Sequence, residues 1–248
     1  MTGRLAVLAL LVLAPAAALG SEATRAVEAF VARVAGATVN ELAVEQSFTL
    51  YHPDGRHPQS TGEQRVWFKL PRRQRVEEVV EGRRRVRLIV DDRAWERAPD
   101  GRVSEVRVER DHERTHLLMP FRRTAADLLA EWRALGVRDD VSHVTRVNGR
   151  AITVIGAQPG ERNTPSVWLD PEHGVVRFIR RERLPRGEAL VDLTLSEHRP
   201  LINGFAFPYR QEAFVDGKLL LLVVVRAVSV NAGVREDLFD VEALRQGR

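Results

Sequence analysis

Apolar residues recur along the chain in two rhythms. Val27, Phe30, Val31 and Val34 stand three or four apart, with Ser21 available as N-cap and Gly36 as terminator, which predicts an amphipathic helix over 22–35. From Val44 the period drops to two. Val44, Gln46, Phe48 and Leu50 alternate with Glu45, Ser47, Thr49 and Tyr51, and Val66, Phe68 and Leu70 alternate with Arg65, Trp67 and Lys69, the signature of half-buried strands. Segments 74–82, 84–90 and 93–109 continue as a meander broken at Glu81-Gly82, Asp91-Asp92 and Pro99-Asp100-Gly101. One helix interrupts it: Thr124 and Asp127 form a capping box, and Ala125, Leu128, Leu129, Trp132 and Leu135 make one stripe ending at Gly136. Strands then resume, with hairpin turns at Asn148-Gly149, 170–174, Asn203-Gly204 and Asp216-Gly217.

No helical crossover of the length that parallel pairing needs appears among these strands, so the sheet is expected to be antiparallel almost throughout. There is no internal repeat and no low-complexity linker, and residues 21–248 read as one domain, mainly β with helices. About a dozen strands cannot lie flat, because twist and curling set in at that size. The sheet should curl into a partial barrel with the two helices across its concave face. Phe48, Val66, Phe68, Val86, Leu88, Val90, Val191, Leu193, Leu195, Phe207, Tyr209 and Val215 are the inward candidates, with hardly a polar group among them. Composition alone favours an ordinary core filled by side chains, and periodicity does not separate a packed core from a dry cavity.

The first twenty residues change the picture. Arg4 precedes the apolar run Leu5–Ala14, then Pro15 and a small-residue segment ending Ala18, Leu19, Gly20, which is the layout of a secretory signal peptide cleaved after Gly20. The run is too short to span a bilayer, which takes roughly 20 residues. The mature chain is therefore expected to be soluble and exported to the periplasm. Removing Arg4, the only charged residue of the leader, lowers the formal charge from +4 to +3, and only Lys69 and Lys218 among the basic groups are not arginine. So mild an excess says little about partners, and export argues against nucleic acid. With no cysteine there is no disulfide, thiolate nucleophile or thiolate metal site, and no N-terminal acylation on cysteine.

One string looks catalytic. His112, Glu113 and His116 read H-E-x-x-H, in which a helix would hold two imidazoles on one face for zinc while the glutamate activates water. The context argues against it: Val103, Val106 and Val108 among charged neighbours do not make a helix face, and Pro120 follows four residues after His116. A solvated loop is the preferred reading. No Gly-x-Ser-x-Gly elbow, phosphate loop or dinucleotide fingerprint occurs, and Asp91-Asp92 and Asp139-Asp140 sit at turns, where aspartate is common for backbone reasons. No catalytic activity and no cofactor are expected.

Three segments carry a family resemblance: Gly62–Arg75 (GEQRVWFKLPRRQR), Trp168–Arg183 (WLDPEHGVVRFIRRER) and Val228–Ala243 (VSVNAGVREDLFDVEA). In that order, over nearly the whole mature chain, they resemble the LolA-like outer-membrane lipoprotein-sorting family. The resemblance implies an eleven-stranded half-barrel with a helical lid, a monomer that holds the acyl chains of a lipoprotein or free lipid and meets membrane-bound transfer partners. The lipid-binding positions would be Phe48, Val66, Phe68, Leu70, Val86, Leu88, Val90, Val191, Leu193, Leu195, Phe207 and Tyr209. At the proline corner the well-studied carriers have an arginine that bonds to the lid, and the matching position here is Leu70, before Pro71; Lys69, Arg72, Arg73 and Arg75 are the candidates to replace it. A lipid or lipoprotein sensor of the RseB type, whose N-terminal domain is also LolA-like, ranks second, and a zinc metalloprotease through His112, Glu113 and His116 third.

Overall fold

The computed structural model of the protein describes residues 21–107, 121–184 and 187–247. Helix α1 (Glu22–Val34) leads into six strands, β1 (Glu41–Tyr51), β2 (Pro58–Lys69), β3 (Arg73–Val80), β4 (Arg83–Val90), β5 (Arg93–Arg97) and β6 (Val103–Val106). Helix α2 (Ala125–Ala134) comes next. Seven further strands follow: β7 (Ser142–Val147), β8 (Arg150–Ile155), β9 (Ser166–Asp170), β10 (Gly174–Leu184), β11 (Gly187–Ile202), β12 (Phe205–Val215) and β13 (Lys218–Val230). A 3-10 turn (Glu236–Phe239) and the short helix α3 (Val241–Arg245) close the described chain. The helix starts follow their caps: the Ser21 side chain accepts from the Thr24 amide, and Thr124 and Asp127 exchange both capping-box bonds.

All thirteen strands form one sheet, in the order β6-β5-β4-β3-β2-β1-β13-β12-β11-β10-β9-β8-β7, and every ladder is antiparallel. Thirteen strands among the described residues exceed the expected eleven, and the break read at Pro99–Gly101 separates β5 from β6. Asn148-Gly149 and Asp216-Gly217 each place both residues at positive φ, as the tight hairpins they close require. The curled sheet is not closed among the described residues: β6 and β7 are its two edges, and they are consecutive among the described strands. Helix α2 lies between these two edge strands in sequence. Helices α1 and α2 touch.

Each face has its own core. On the first, α1 buries Ala23, Val27, Phe30 and Val34 and α2 buries Leu128, Leu129 and Trp132 against Leu42, Val44, Val66, Phe68, Phe178, Leu195 and Phe207. On the other, Val86, Leu88 and Trp95 meet Phe239 and Leu244 from the C-terminal tail. Polar bonds hold that tail in place. The Asn231 amide oxygen accepts from the Asn40 amide at 2.9 Å, its nitrogen donates to the Thr38 carbonyl, and the buried Glu41 carboxylate accepts the Gly233 and Val234 amides. Arg75, wholly buried, donates to the Leu238 carbonyl at 3.0 Å and pairs with Glu77 at 2.8 Å. Burial alone would raise the Glu77 pKa, but its bonds to Arg84 and Arg75 hold it below the ordinary range.

Candidate functional site

Cross-strand partners share a face, so the registers trace the helix-covered side of the sheet residue by residue. Phe68 faces Leu42, Val66 faces Val44, Phe48 lies opposite Val223, Ala213 opposite Leu193, and Leu193 opposite Phe178. Of the expected lipid-binding positions, Val66, Phe68, Leu195 and Phe207 are buried in the cluster beneath α1 and α2, and Leu70, Leu193 and Tyr209 border it, half-buried. Phe48 and Val191 are buried on the same face outside that cluster, and Val215, opposite Val191, is half-buried. Val86, Leu88 and Val90 are not brought to this site. Leu88 pairs across the ladders with Arg75 and Trp95, so these three belong to the opposite face, where the tail covers them. The period-two pattern was right within β4, but alternation does not say which of two faces a strand presents, and here both faces are covered.

The same registers put polar groups where the sequence pattern suggested almost none. Val76 lies opposite both Val66 and Arg87, and Glu78 opposite both Gln64 and Arg85, so Arg85, Arg87, Glu78 and Gln64 share the helix-covered face with Gln46, whose amide bonds to that of Gln64. On the other wing Arg180 lies opposite Val191, is 5% exposed, and donates from Nη2 to Glu182 at 2.7 Å. Phe178, Arg180, Val191, Leu193 and Ala213 line a cavity of about 10 Å³, the space of a single water. A larger pocket of about 320 Å³ opens at the end of α1, with Val31, Val34, Ala37 and Val39 as apolar lining and Arg122 and Arg123 beside them.

At the proline corner, Leu70 packs against the helix-side core and its amide donates to the Asn40 carbonyl at 2.8 Å. Lys69 and Arg73 reach Glu236 in the tail, Arg72 reaches Asp92, and Arg75 reaches Glu77 and Leu238. The link to the α2 side runs from elsewhere. Arg122, in the loop before α2, donates to the Asn40 side chain, so Asn40 joins the corner to that loop. Helix α1 is seated elsewhere. The Phe30 ring covers Gly174 in the β9–β10 turn, and the Asn203 side chain donates to the Gly36 carbonyl. In that turn Asp170, 1% exposed, accepts from the Glu172 and His173 amides and takes both Nε and Nη2 of Arg150. Burial pushes the Asp170 pKa up, and these bonds more than offset it, leaving it well below the carboxylate range. Beside it His173 and His198 stack at 4.8 Å, and burial, with the nearby His173 charge, pushes His198 down to about 4.

No protein-family model matches the chain, and no curated protein matches it by sequence. Solved structures do. A domain described as an outer membrane lipoprotein-sorting protein from Vibrio parahaemolyticus superposes with a TM-score of 0.55 at 13% identity, over 90% of this chain and 97% of that one. A LolA superfamily protein from Nitrosomonas europaea gives 0.55 at 10% identity, over 88% and 98% of the two chains. The fold is LolA-like. A DUF1329 family protein from Desulfovibrio piger shares it as well, with a TM-score of 0.57 at 12% identity over 90% of this chain and 98% of that one. At such identities the likeness carries the architecture of the LolA-like fold and no residue of a site.

The H-E-x-x-H string at 112–116 and the leader at 1–20 lie outside the described residues. Among the described residues there is no cluster of three metal-ligating side chains, and no helix is long and apolar enough to cross a membrane.

Proposed function

We propose that this chain is an exported carrier that holds acyl chains of lipoproteins, or of related lipids, between the sheet and the lid helices for transfer toward the outer membrane. The observation that carries this reading is the apolar face formed by Leu42, Val44, Val66, Phe68, Leu195 and Phe207, covered by two helices and flanked by two unclosed sheet edges. Such a site answers a physical need: each methylene left in water costs about 0.8 kcal/mol, so a sixteen-carbon chain costs roughly a dozen. The fold shared with a lipoprotein-sorting domain supports the same conclusion. Phe48, Val66, Phe68, Leu70, Val191, Leu193, Leu195, Phe207 and Tyr209 would meet the acyl chain. Binding and delivery need no bond made or broken, so we assign no catalytic residue.

Native purification followed by mass spectrometry for bound lipid tests the reading directly. Leu193→Arg and Phe68→Arg are its companions, read by thermal unfolding and by retention of a fluorescent fatty acid. A site that opens lets the arginine stem lie along its wall, so the variants fold and lose lipid. A permanently filled core buries an unpaired charge instead, so unfolded variants return the face to ordinary packing, and folded variants that bind lipid as the parent does refute the assignment. The secreted protein should have an intact mass that begins at Ser21. Stoichiometric zinc, lost in His116→Ala together with peptidase activity, would replace the carrier with a metalloprotease.

A further inference from the structure

Arg180 is out of place in a site built only for hydrocarbon. Its side chain is 6% exposed, it stands on the helix-covered face two residues beyond Phe178, and the Phe178 ring lies 5.9 Å from its guanidinium carbon. A guanidinium carries five N–H donors. Among the described residues Arg180 uses one of them, from Nη2 to Glu182 at 2.7 Å, and that carboxylate is itself 31% exposed. Arg180 borders the water-sized cavity together with Phe178, Val191, Leu193 and Ala213. Removing a cation from water this completely is costly unless hydrogen bonds replace its hydration, and one ion pair on one edge of the fork does so only in part.

We infer that Arg180 seats the anionic head of the cargo, a carboxylate or phosphate at the end of an acyl chain, with the chain running from Leu193 past Phe178 beneath α1 and α2. The inference rests on the carrier reading and adds to it the polar end and the orientation of the ligand. In the closed form the cavity has room for one water, so the head enters as the lid side loosens and displaces that water from the guanidinium. A planar fork suits a two-oxygen anion better than an ammonium would, since two parallel N–H donors meet both oxygens. Glu182 competes with the head for the fork, which keeps the pair neutral when the site is empty.

The test compares three probes on the full mature chain: a fluorescent sixteen-carbon fatty acid, its methyl ester, and acetate or inorganic phosphate as competitors. The parent should bind the acid about tenfold or more tighter than the ester, the worth of one charge-assisted hydrogen bond. Arg180→Met should erase that preference, bringing the affinity for the acid down to that for the ester, and Glu182→Gln should raise affinity for the acid alone. Equal binding of acid and ester by the parent, or a preference that survives Arg180→Met, overturns the inference and leaves the carrier standing. Displacement of the acid by millimolar acetate or phosphate would make this a site for free anions and overturn it too. If the parent binds neither acid nor ester, the carrier reading itself fails. Should Arg180→Met not fold, the parent's acid-to-ester ratio and the response of Glu182→Gln decide the matter by themselves.

Discussion

Gly174→Ala isolates the seat of α1. Gly174 has φ +84°, and a Cβ built there would stand 2.7 Å from Cε2 and 3.1 Å from Cζ of Phe30, a ring only 4% exposed. The left-handed backbone costs an L residue about 1–2 kcal/mol. Forcing a packed ring aside adds about 1–3 kcal/mol, so the two effects together come to roughly 2–5 kcal/mol. In a domain of this size each kcal/mol moves Tm by about 2–4 °C, which predicts a fall of roughly 4–20 °C. Gly149→Ala is the matched control. It has nearly the same φ, +81°, but nothing within 4 Å of the added carbon, so it reports backbone strain and the unfolded-state effect of alanine without the clash. Differential scanning calorimetry on both variants, repeated in a Phe30→Leu background, closes a double-mutant cycle. The excess loss in Gly174→Ala should shrink once the ring is gone. If Gly174→Ala and Gly149→Ala melt within a degree of each other, Phe30 does not bear on the turn and α1 is held by something else.

Two other perturbations read out buried charge. His198 is neutral in the fold and its pKa is pushed down to about 4 from an ordinary value of 6.5, so the unfolded chain takes up its proton first as pH falls. The stability tied to it is complete above pH 6.5 and is lost as pH drops toward 4, by at most about 3 kcal/mol. Urea unfolding at pH 7, 5.5 and 4.5 should show a steeper decline for the parent than for His198→Gln, and parallel declines would refute the assignment. Arg75→Met removes a fully buried cation and its bonds to Glu77 and the Leu238 carbonyl, at an expected cost of about 3–5 kcal/mol. Arg84→Met breaks a bond to the same Glu77 from a side chain 40% exposed and should cost under about 1 kcal/mol; equal losses in the two variants would contradict the burial argument.

Much of the fold could be read from periodicity. Both helices, their N-caps and the hairpin turns at Asn148-Gly149, Asn203-Gly204 and Asp216-Gly217 sit where hydrophobic spacing and turn chemistry put them. The site was less legible, because period two fixes alternation within a strand and leaves the phase between strands open. In β4, Val86 and Leu88 alternate with Arg85 and Arg87, which reads as apolar inward and arginine outward. The ladders put the arginines on the helix side, since the C-terminal tail supplies a second apolar partner for the far side. Bulges at Glu45/Gln46 and Ala213/Phe214 shift the phase again. In β10 both faces carry arginine, Arg180 on one and Arg181 on the other, and only their surroundings distinguish the buried residue from the exposed one. No local pattern holds that information, because it comes from strands that pair at long range.

The anchors of the two helices bear on how a packed face can act as a binding site. Helix α1 is seated on the turns of the β9–β12 wing, through Phe30 on Gly174 and through Asn203 on Gly36. The loop before α2 is tied to the start of β1 and to the β2–β3 corner, through Arg122, Asn40 and Leu70. The two helices thus rest on two different wings of a sheet that no ladder closes among the described residues. Parting α1 from α2 leaves every strand pairing intact and breaks a few peripheral hydrogen bonds, each worth about 0.5–1.5 kcal/mol. Such an opening also uncovers side chains that α1 and α2 bury, Val27, Phe30, Leu128 and Leu129 among them, at about 1.5–3 kcal/mol for each large apolar side chain, so it is costly unless something else covers the exposed face. The apolar surface it exposes on Leu42, Val66, Phe68 and Phe207 is what an acyl chain would cover again. On the carrier reading, loading then exchanges helix–sheet contact for lipid–sheet contact at little net cost, and release runs the same exchange backwards.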